Sequence, residues 1–501
     1  MVSVLLPNQS KSRFFTTFTL LYKLKKILVR ISKSYALDPR ALSLMRIGIA
    51  LVIIADLLIR GSDLTAHYTD EGMWPTRVVE NFGWKAGFWS LHGLSGTYAW
   101  VLCLFILHFI FALFLLFGYK TKLSTFILWL LHISLLNRNL YINQVGDDVL
   151  RLILFWGLFL PWNSFYAIDS KKILSKPKQK TLANLGYLLL IFSVYFFTVS
   201  LKTSAEWRLD NSAIYYALSL EQLRLPGVGD WLYQFPALMK ILTWLVFYIE
   251  LIIPILVIVP GKKAYLRLIA FLLIMMLHTG IGLTLYVGLF FVINMVSAIG
   301  LLPAFAMDKL ENKFKLLKHS VKKVYQKQKQ RVLLKGVTNV ICIVVIVFCF
   351  AINLSSVSWF RYELKPEIMY PVNVLRFDQY WGMFSPSILK RDGWYVYYGM
   401  DSVGRQWDMI RNEDYVNFEK PKSIFKIHKT DRWRKITENM QREDMYFMRP
   451  LFCKYKLRRW NKNHPEKKLH SLTLYYMQKE TLPNYKTTEV KKQMYCVCND
   501  N

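Results

Sequence analysis

Between Tyr98 and Gly118 the chain reads YAWVLCLFILHFIFALFLLFG, with no Asp, Glu, Lys or Arg. A run of about 20 apolar residues can cross the hydrocarbon of a bilayer as one helix. In lipid the backbone must satisfy its own hydrogen bonds, so helix is the available form for such a run. Eight more apolar stretches recur at 41–60, 123–137, 149–162, 184–200, 237–260, 266–290, 291–307 and 336–353. The expected class is therefore mainly α: a polytopic membrane helix bundle of about nine spans. The third and fourth stretches are short and polar at one end, which fits a tilted or partly buried helix pair.

The chain has 501 residues, 54% of them hydrophobic, and a formal net charge of +32. Such a charge raises the question of nucleic acid, but no zinc-finger, helix-turn-helix or RNA-binding signature is present. The basic residues lie between the apolar runs, so membrane lipids are the expected partner and nucleic acid is not. Alternate gaps are rich in Lys and Arg: the leader 1–35, YKTK (119–122), DSKKILSKPKQK (169–180), GKK (261–263) and the linker 307–335. The other gaps carry few. The positive-inside rule then puts the N-terminus in the cytoplasm and everything after Asn353 outside. The leader reads as a basic amphipathic segment on the membrane surface rather than a cleaved signal.

Beyond the last span, 336–355, residues 356–501 read as a small extracytoplasmic α+β domain with a net charge of about +10. GWYVYYGMDSVGRQWDMIR (393–411) has the pattern of strand, turn, strand, and HSLTLYYMQKE (470–480) of another strand. KTDRWRKITENMQRED (429–444) reads as a helix. Cys103, Cys342 and Cys349 fall in spans as small apolar residues. Cys453, Cys496 and Cys498 fall in this last segment, where Cys453 can pair with one of the other two in an oxidising compartment. No Cys/His spacing indicates a metal site.

Ionisable residues within the expected spans are Arg46, Asp56, His108, His132, Arg151, Glu250 and His278. Each costs about 2.5–3.5 kcal/mol on insertion scales, so they belong in a polar interior. Lys202 follows an apolar run, near Glu206 and Trp207. It is either an interfacial anchor or a buried amine able to act as a base. His278 has Gly282 one helical turn on, leaving room for a flat ligand or a neighbouring helix. Asn137, Asn139, Asn143, Asp147 and Asp148 crowd the gap LNRNLYINQVGDDVLR, as in a capped turn or a pocket mouth.

Several of these segments, in order, resemble the HTTM domain, the membrane part shared by vitamin K-dependent gamma-carboxylases and many bacterial proteins. They are DPRALSLMRIGIALVIIADLLIRGSDLTAHYTDEGMWP, LFLPWNSFYAID, SLKTSAEW, FYIELIIPILVI and LHTGIGLTLYVGLF, within about 36–306. The resemblance implies Lys202 as a catalytic base and His278 as a second catalytic residue beside a reduced quinone of menaquinone or vitamin K type. Asn143, Glu250, Trp207 and Asp56 would line the pocket. Two departures stand out. Gln144 follows Asn143 where the family has Asn-His, and 356–501 stands where the carboxylases carry a long lumenal region. LRFDQYWGMFSPSILKRDGWYVYYGMDSVGRQWDMI (375–410) resembles a segment of bacterial HTTM proteins associated with toxin maturation or export.

The expected protein is thus a multi-pass protein of the bacterial inner membrane, a maturation factor, scaffold or partner for a secreted protein. The alternatives are a quinol- and oxygen-dependent carboxylase-like enzyme with Lys202 as base, and a transporter. For the transporter, Pro254 interrupts one span with no matching break in the other half.

Overall fold

A computed structural model describes residues 34–170, 182–260, 263–314, 336–360 and 362–500, with 27–28, 30–31, 179–180 and 333–334. Most of the expected leader and of the 307–335 linker lies outside the described residues.

Helix α1 (Pro39–Gly61) starts where Asp38 accepts the Arg40 N–H at 2.8 Å and Pro39 occupies the first turn. Helix α2 (Tyr98–Phe117) ends at Gly118 in the left-handed region, φ 67°, and Tyr119 N–H closes the turn on Phe114 O. A side chain at Gly118 would also run into Ala167. The bundle continues with α3 (Thr121–Arg138), α4 (Val145–Gly157), α5 (Ala183–Leu201), α6 (Pro236–Val257) and α7 (Ala264–Thr284). It closes with α8 (Phe290–Ala298), α9 (Ala304–Phe314) and α10 (Gly336–Ser355).

Six of these, α1, α2, α5, α6, α7 and α10, are long and apolar enough to cross a membrane, not nine. The difference has three causes. Helix α4 has 13 residues, about 20 Å of rise, against a hydrocarbon core of about 30 Å. Helix α3 carries Ser134, Asn137 and Arg138 and buries every residue from Leu131 to Arg138; α4 and this second half of α3 face protein, while Leu123 and Phe126 in the first half are exposed. The segment after α7 is bent by 105° between Phe290–Leu301 and Ala304–Phe314, at Pro303, and counts as a seventh span only if the two arms are taken together.

The gaps that are poor in Lys and Arg gather at one end of the bundle, where the C-terminal domain sits. Lys429 bonds Asp63 at 3.0 Å, Arg432 bonds Ile142 O, and Trp207 bonds Phe384 O. At the opposite end Arg46 donates to the carbonyls of Leu115, Leu116, Trp162 and Tyr166, which is how an intramembrane guanidinium is satisfied without a carboxylate. Arg40 there reaches Asp308 and Glu311 at 2.7 and 2.8 Å.

The C-terminal domain comprises α11 (Pro366–Leu375), β1 (Arg391–Met400), β2 (Gln406–Asp408), α12 (Asp431–Asn439), α13 (Met448–Asn463), β3 (Ser471–Glu480) and β4 (Lys491–Asn499). The sheet is antiparallel in the order β2-β1-β3-β4, with Tyr395 opposite Tyr476. The three expected strands and the helix at 429–444 are present as β1, β2, β3 and α12. Strand β4 and helix α13 were not expected. Most of β4 is an exposed edge without hydrophobic alternation, and α13 is rich in Lys and Arg. Cys453 of α13 and Cys498 of β4 form a disulfide that ties the helix to this edge. One buried core runs unbroken from Met45 and Ile153 in the bundle to Trp433, Ile436 and Tyr476 in the domain.

Candidate functional site

Lys202 caps the end of α5, where the backbone leaves the helix. Its side chain is 3% exposed. The amine forms an ion pair with Glu250 of α6 and stands 3.8 Å from the centroid of the Trp207 ring. Burial opposes the charge on this amine, while the Glu250 carboxylate and the Trp207 ring favour it. Glu206, four residues on, does not reach this lysine. The chain turns at Lys202, and Glu206 pairs with Lys390 of the C-terminal domain at 2.7 Å. Three of the expected site residues, Lys202, Glu250 and Trp207, are therefore together.

A segment of the C-terminal domain seals this group. Trp207 Nε1 donates to Phe384 O at 2.8 Å, Ser204 N to Pro386 O at 3.2 Å, and Thr198 Oγ1 to Trp381 O at 3.0 Å. On the other side of the same segment lies a cleft of about 450 Å3. The bundle supplies Gln144, Leu223 and Phe290 to it, and the domain supplies Phe384, Leu389 and Arg434. Lys202 does not line the cleft; Trp207 and Phe384 stand between.

His278 of α7 shares a hydrogen bond with Tyr195 of α5, Nε2 to OH at 2.9 Å. Its ring packs on Phe290 at 5.4 Å between centroids, so Phe290 separates it from the cleft. The space beside Gly282 is taken: a Cβ there would lie 2.6 Å from the Phe291 ring. Of the two readings of that glycine, the close neighbour is the one present. Glu250 and Trp207 stand against the Lys202 amine, and Phe291 fills the space beside Gly282.

Asp56 and Asn143 serve elsewhere. Asp56 accepts from Arg60 at 2.6 Å and from Arg432 of α12 at 2.8 Å. Asp147 accepts from the same two arginines, and Tyr68 OH accepts from Arg60 at 2.6 Å. Two carboxylates and two guanidiniums thus form a closed buried set, with Arg432 as the only member from the C-terminal domain. Asn143 donates to Leu136 O at 2.9 Å and helps close the turn before α4. Among the described residues no cluster of His, Cys, Asp or Glu could hold a metal ion.

Sequence reasoning missed Arg432, and it marked the 380–389 segment only within the resemblance at 375–410, not as a cover over Lys202. Arg432 is one of several cations in a charge-rich helix, and nothing local marks it as the one that enters the bundle.

No curated protein and no solved structure matches this chain. The HTTM domain model matches residues 35–303, just over half of the 501, and that stretch contains α1 to α8 together with Lys202, Glu250, His278 and Asp56. The bundle that carries the Lys202–Glu250 pair is an HTTM domain, and the chain belongs to that family.

Proposed function

We propose that this multi-pass membrane protein is a maturation factor or docking partner for a secreted protein, and that the seam between its bundle and its C-terminal domain receives a segment of that protein. The cleft at the seam carries this reading. It draws its walls from both halves and has apolar residues inside, Leu223, Phe290, Phe384 and Leu389. Its lining also has charged ones, Arg434, Lys435 and Glu438, joined to one another as ion pairs. An apolar hollow with a few polar groups in its lining suits a short peptide segment with one or two large apolar side chains. The sealed ion pair at Lys202 supports a binding role, since Glu250 engages the amine that a general base would need free.

The test places a photo-crosslinking benzoylphenylalanine at Leu389, 58% exposed and on the cleft wall. Irradiation of cells making the full chain is expected to trap a secreted protein through one defined segment. A crosslink to lipid alone, or none, would overturn the reading.

Proton abstraction by Lys202 is the second reading. The burial of the amine and its place in the HTTM domain favour it. It requires the 380–389 segment to lift and Glu250 to release the amine, and it predicts that loss of Lys202 abolishes function in a protein that still folds.

A further inference from the structure

Helix α13 carries Arg458, Arg459 and Lys462 at spacings of one and three residues, so the three lie on one side of the helix. They project over a hollow of about 570 Å3. Opposite them are Ser62, at the end of α1, and Tyr98, at the start of α2. Both helices are long and apolar enough to cross a membrane. The hollow therefore stands at the height where their apolar length stops, which is the level of lipid headgroups.

The cations there are available. Arg458 bonds the backbone carbonyls of Glu71 and Gly72 at 3.3 and 3.2 Å, and Arg459 bonds Tyr455 OH at 3.3 Å. Among the described residues none of the three forms an ion pair. Of the acidic residues at the hollow, Asp63 is already taken by Lys429 at 3.0 Å, leaving Glu71 as the other carboxylate. Three cations against one carboxylate leave a net positive site. Below it, Leu58 is 63% exposed and Leu51 51% exposed. They lie seven residues apart on α1, two turns of one face, and Leu58 sits one turn beneath Ser62.

We infer that this hollow is a binding site for an anionic phospholipid, with the phosphate on Arg458, Arg459 and Lys462 and the acyl chains along the Leu51–Leu58 face of α1. The paired demands explain each other. A phosphate needs the guanidinium donors, which pair with its oxygens as a fork. The exposed leucines need a chain of hydrocarbon. A free phosphate satisfies only the first demand.

Native mass spectrometry of the full chain in detergent tests this, with dioleoyl phosphatidylglycerol, dioleoyl phosphatidylcholine and glycerol 3-phosphate as three separate probes. Phosphatidylglycerol is expected to be retained over phosphatidylcholine. Each cation removed should weaken it about fivefold, the worth of one Lys or Arg near an anionic surface. The variant R458Q/R459Q/K462Q should abolish the preference. K486Q/K491Q, which removes exposed charge elsewhere in the same domain, should keep it. If the triple variant fails to fold, Ser62→Glu brings a negative charge to the same hollow at an exposed position and should lower retention likewise. Undiminished phosphatidylglycerol binding in these variants, or equal loss in the control, overturns the proposal. So does displacement of the lipid by millimolar glycerol 3-phosphate, which would mean that the site takes a free phosphate.

Discussion

Arg432 of the C-terminal domain grips Asp147 of the bundle with both arms of its guanidinium: Nη1 to Oδ2 at 2.6 Å and Nη2 to Oδ1 at 2.9 Å. Nη2 also reaches Asp56 at 2.8 Å. Four buried charges cancel in pairs, and the cancellation requires the domain to be seated. Arg432→Met would leave two carboxylates with one guanidinium in the interior. Removing one partner of a buried ion pair costs about 3–5 kcal/mol. Arg432→Lys recovers little, since an ammonium cannot span both carboxylates. The expected result is a C-terminal domain cut by protease under conditions where the wild type is resistant, while the bundle stays intact. Equal resistance would mean that the shared apolar core alone holds the domain.

The Lys202–Glu250 pair separates the two functional readings. Lys202→Met leaves Glu250 buried without its cation and should destabilise the bundle by about 3–5 kcal/mol. The double variant Lys202→Met/Glu250→Gln removes both charges and should recover most of that loss. A stable double variant that still supports the secreted partner confirms binding. A stable but inactive one assigns the lysine to chemistry.

Lys456 of α13 lies among Trp433, Phe452 and Tyr397, with its amine 4.3, 5.1 and 5.6 Å from their ring centroids. Burial pushes this amine down to about 8; Arg459 adds to the effect and Asp63 opposes it. The unfolded chain holds its proton up to about 10.5. Between these values the unfolded state binds more protons, so stability rises with pH. The C-terminal domain should gain about 1–3 kcal/mol from pH 7.5 to 10, allowing for the part of Lys456 that solvent reaches. Lys456→Met should flatten that rise. Denaturant midpoints across the pH series measure it.

Asp392 of β1 is fully buried, and burial lifts its carboxyl to about 6 although Glu221 N donates to Oδ2 at 3.0 Å. Oδ1 has no hydrogen-bond partner among the described residues. Native pKa above unfolded pKa means that the native state binds the extra proton, so this group favours folding below about pH 4 and penalises it above about 6. Asp392→Asn keeps an acceptor for Glu221 and removes the charge. It should stabilise the domain by about 1–3 kcal/mol at pH 8. The gain should shrink to nothing on acidification to pH 4; a gain independent of pH would point to some other cause.

The chemistry of single segments was legible in the sequence because it is local. Residues 98–118 cannot be other than a helix in hydrocarbon, and the aromatic run at 393–400 reads as a strand, which the structure buries on both faces. The order of SLKTSAEW and FYIELIIPILVI along the chain carried the family, and the same order put Lys202 and Glu250 among the candidates. The number of crossings was not legible. Helices α3 and α4 read as spans by composition, yet α4 and the second half of α3 pack against protein, and hydropathy does not distinguish lipid from a protein interior. Which carboxylate takes Lys202 was equally hidden, because Glu206 is near in sequence while Glu250 is near in space. Arg432 is the clearest case. A guanidinium surrounded by other cations in a helix of the C-terminal domain meets Asp56 and Asp147 only after the bundle has formed. Long-range charge pairing depends on distance across the fold, and no local pattern encodes that distance.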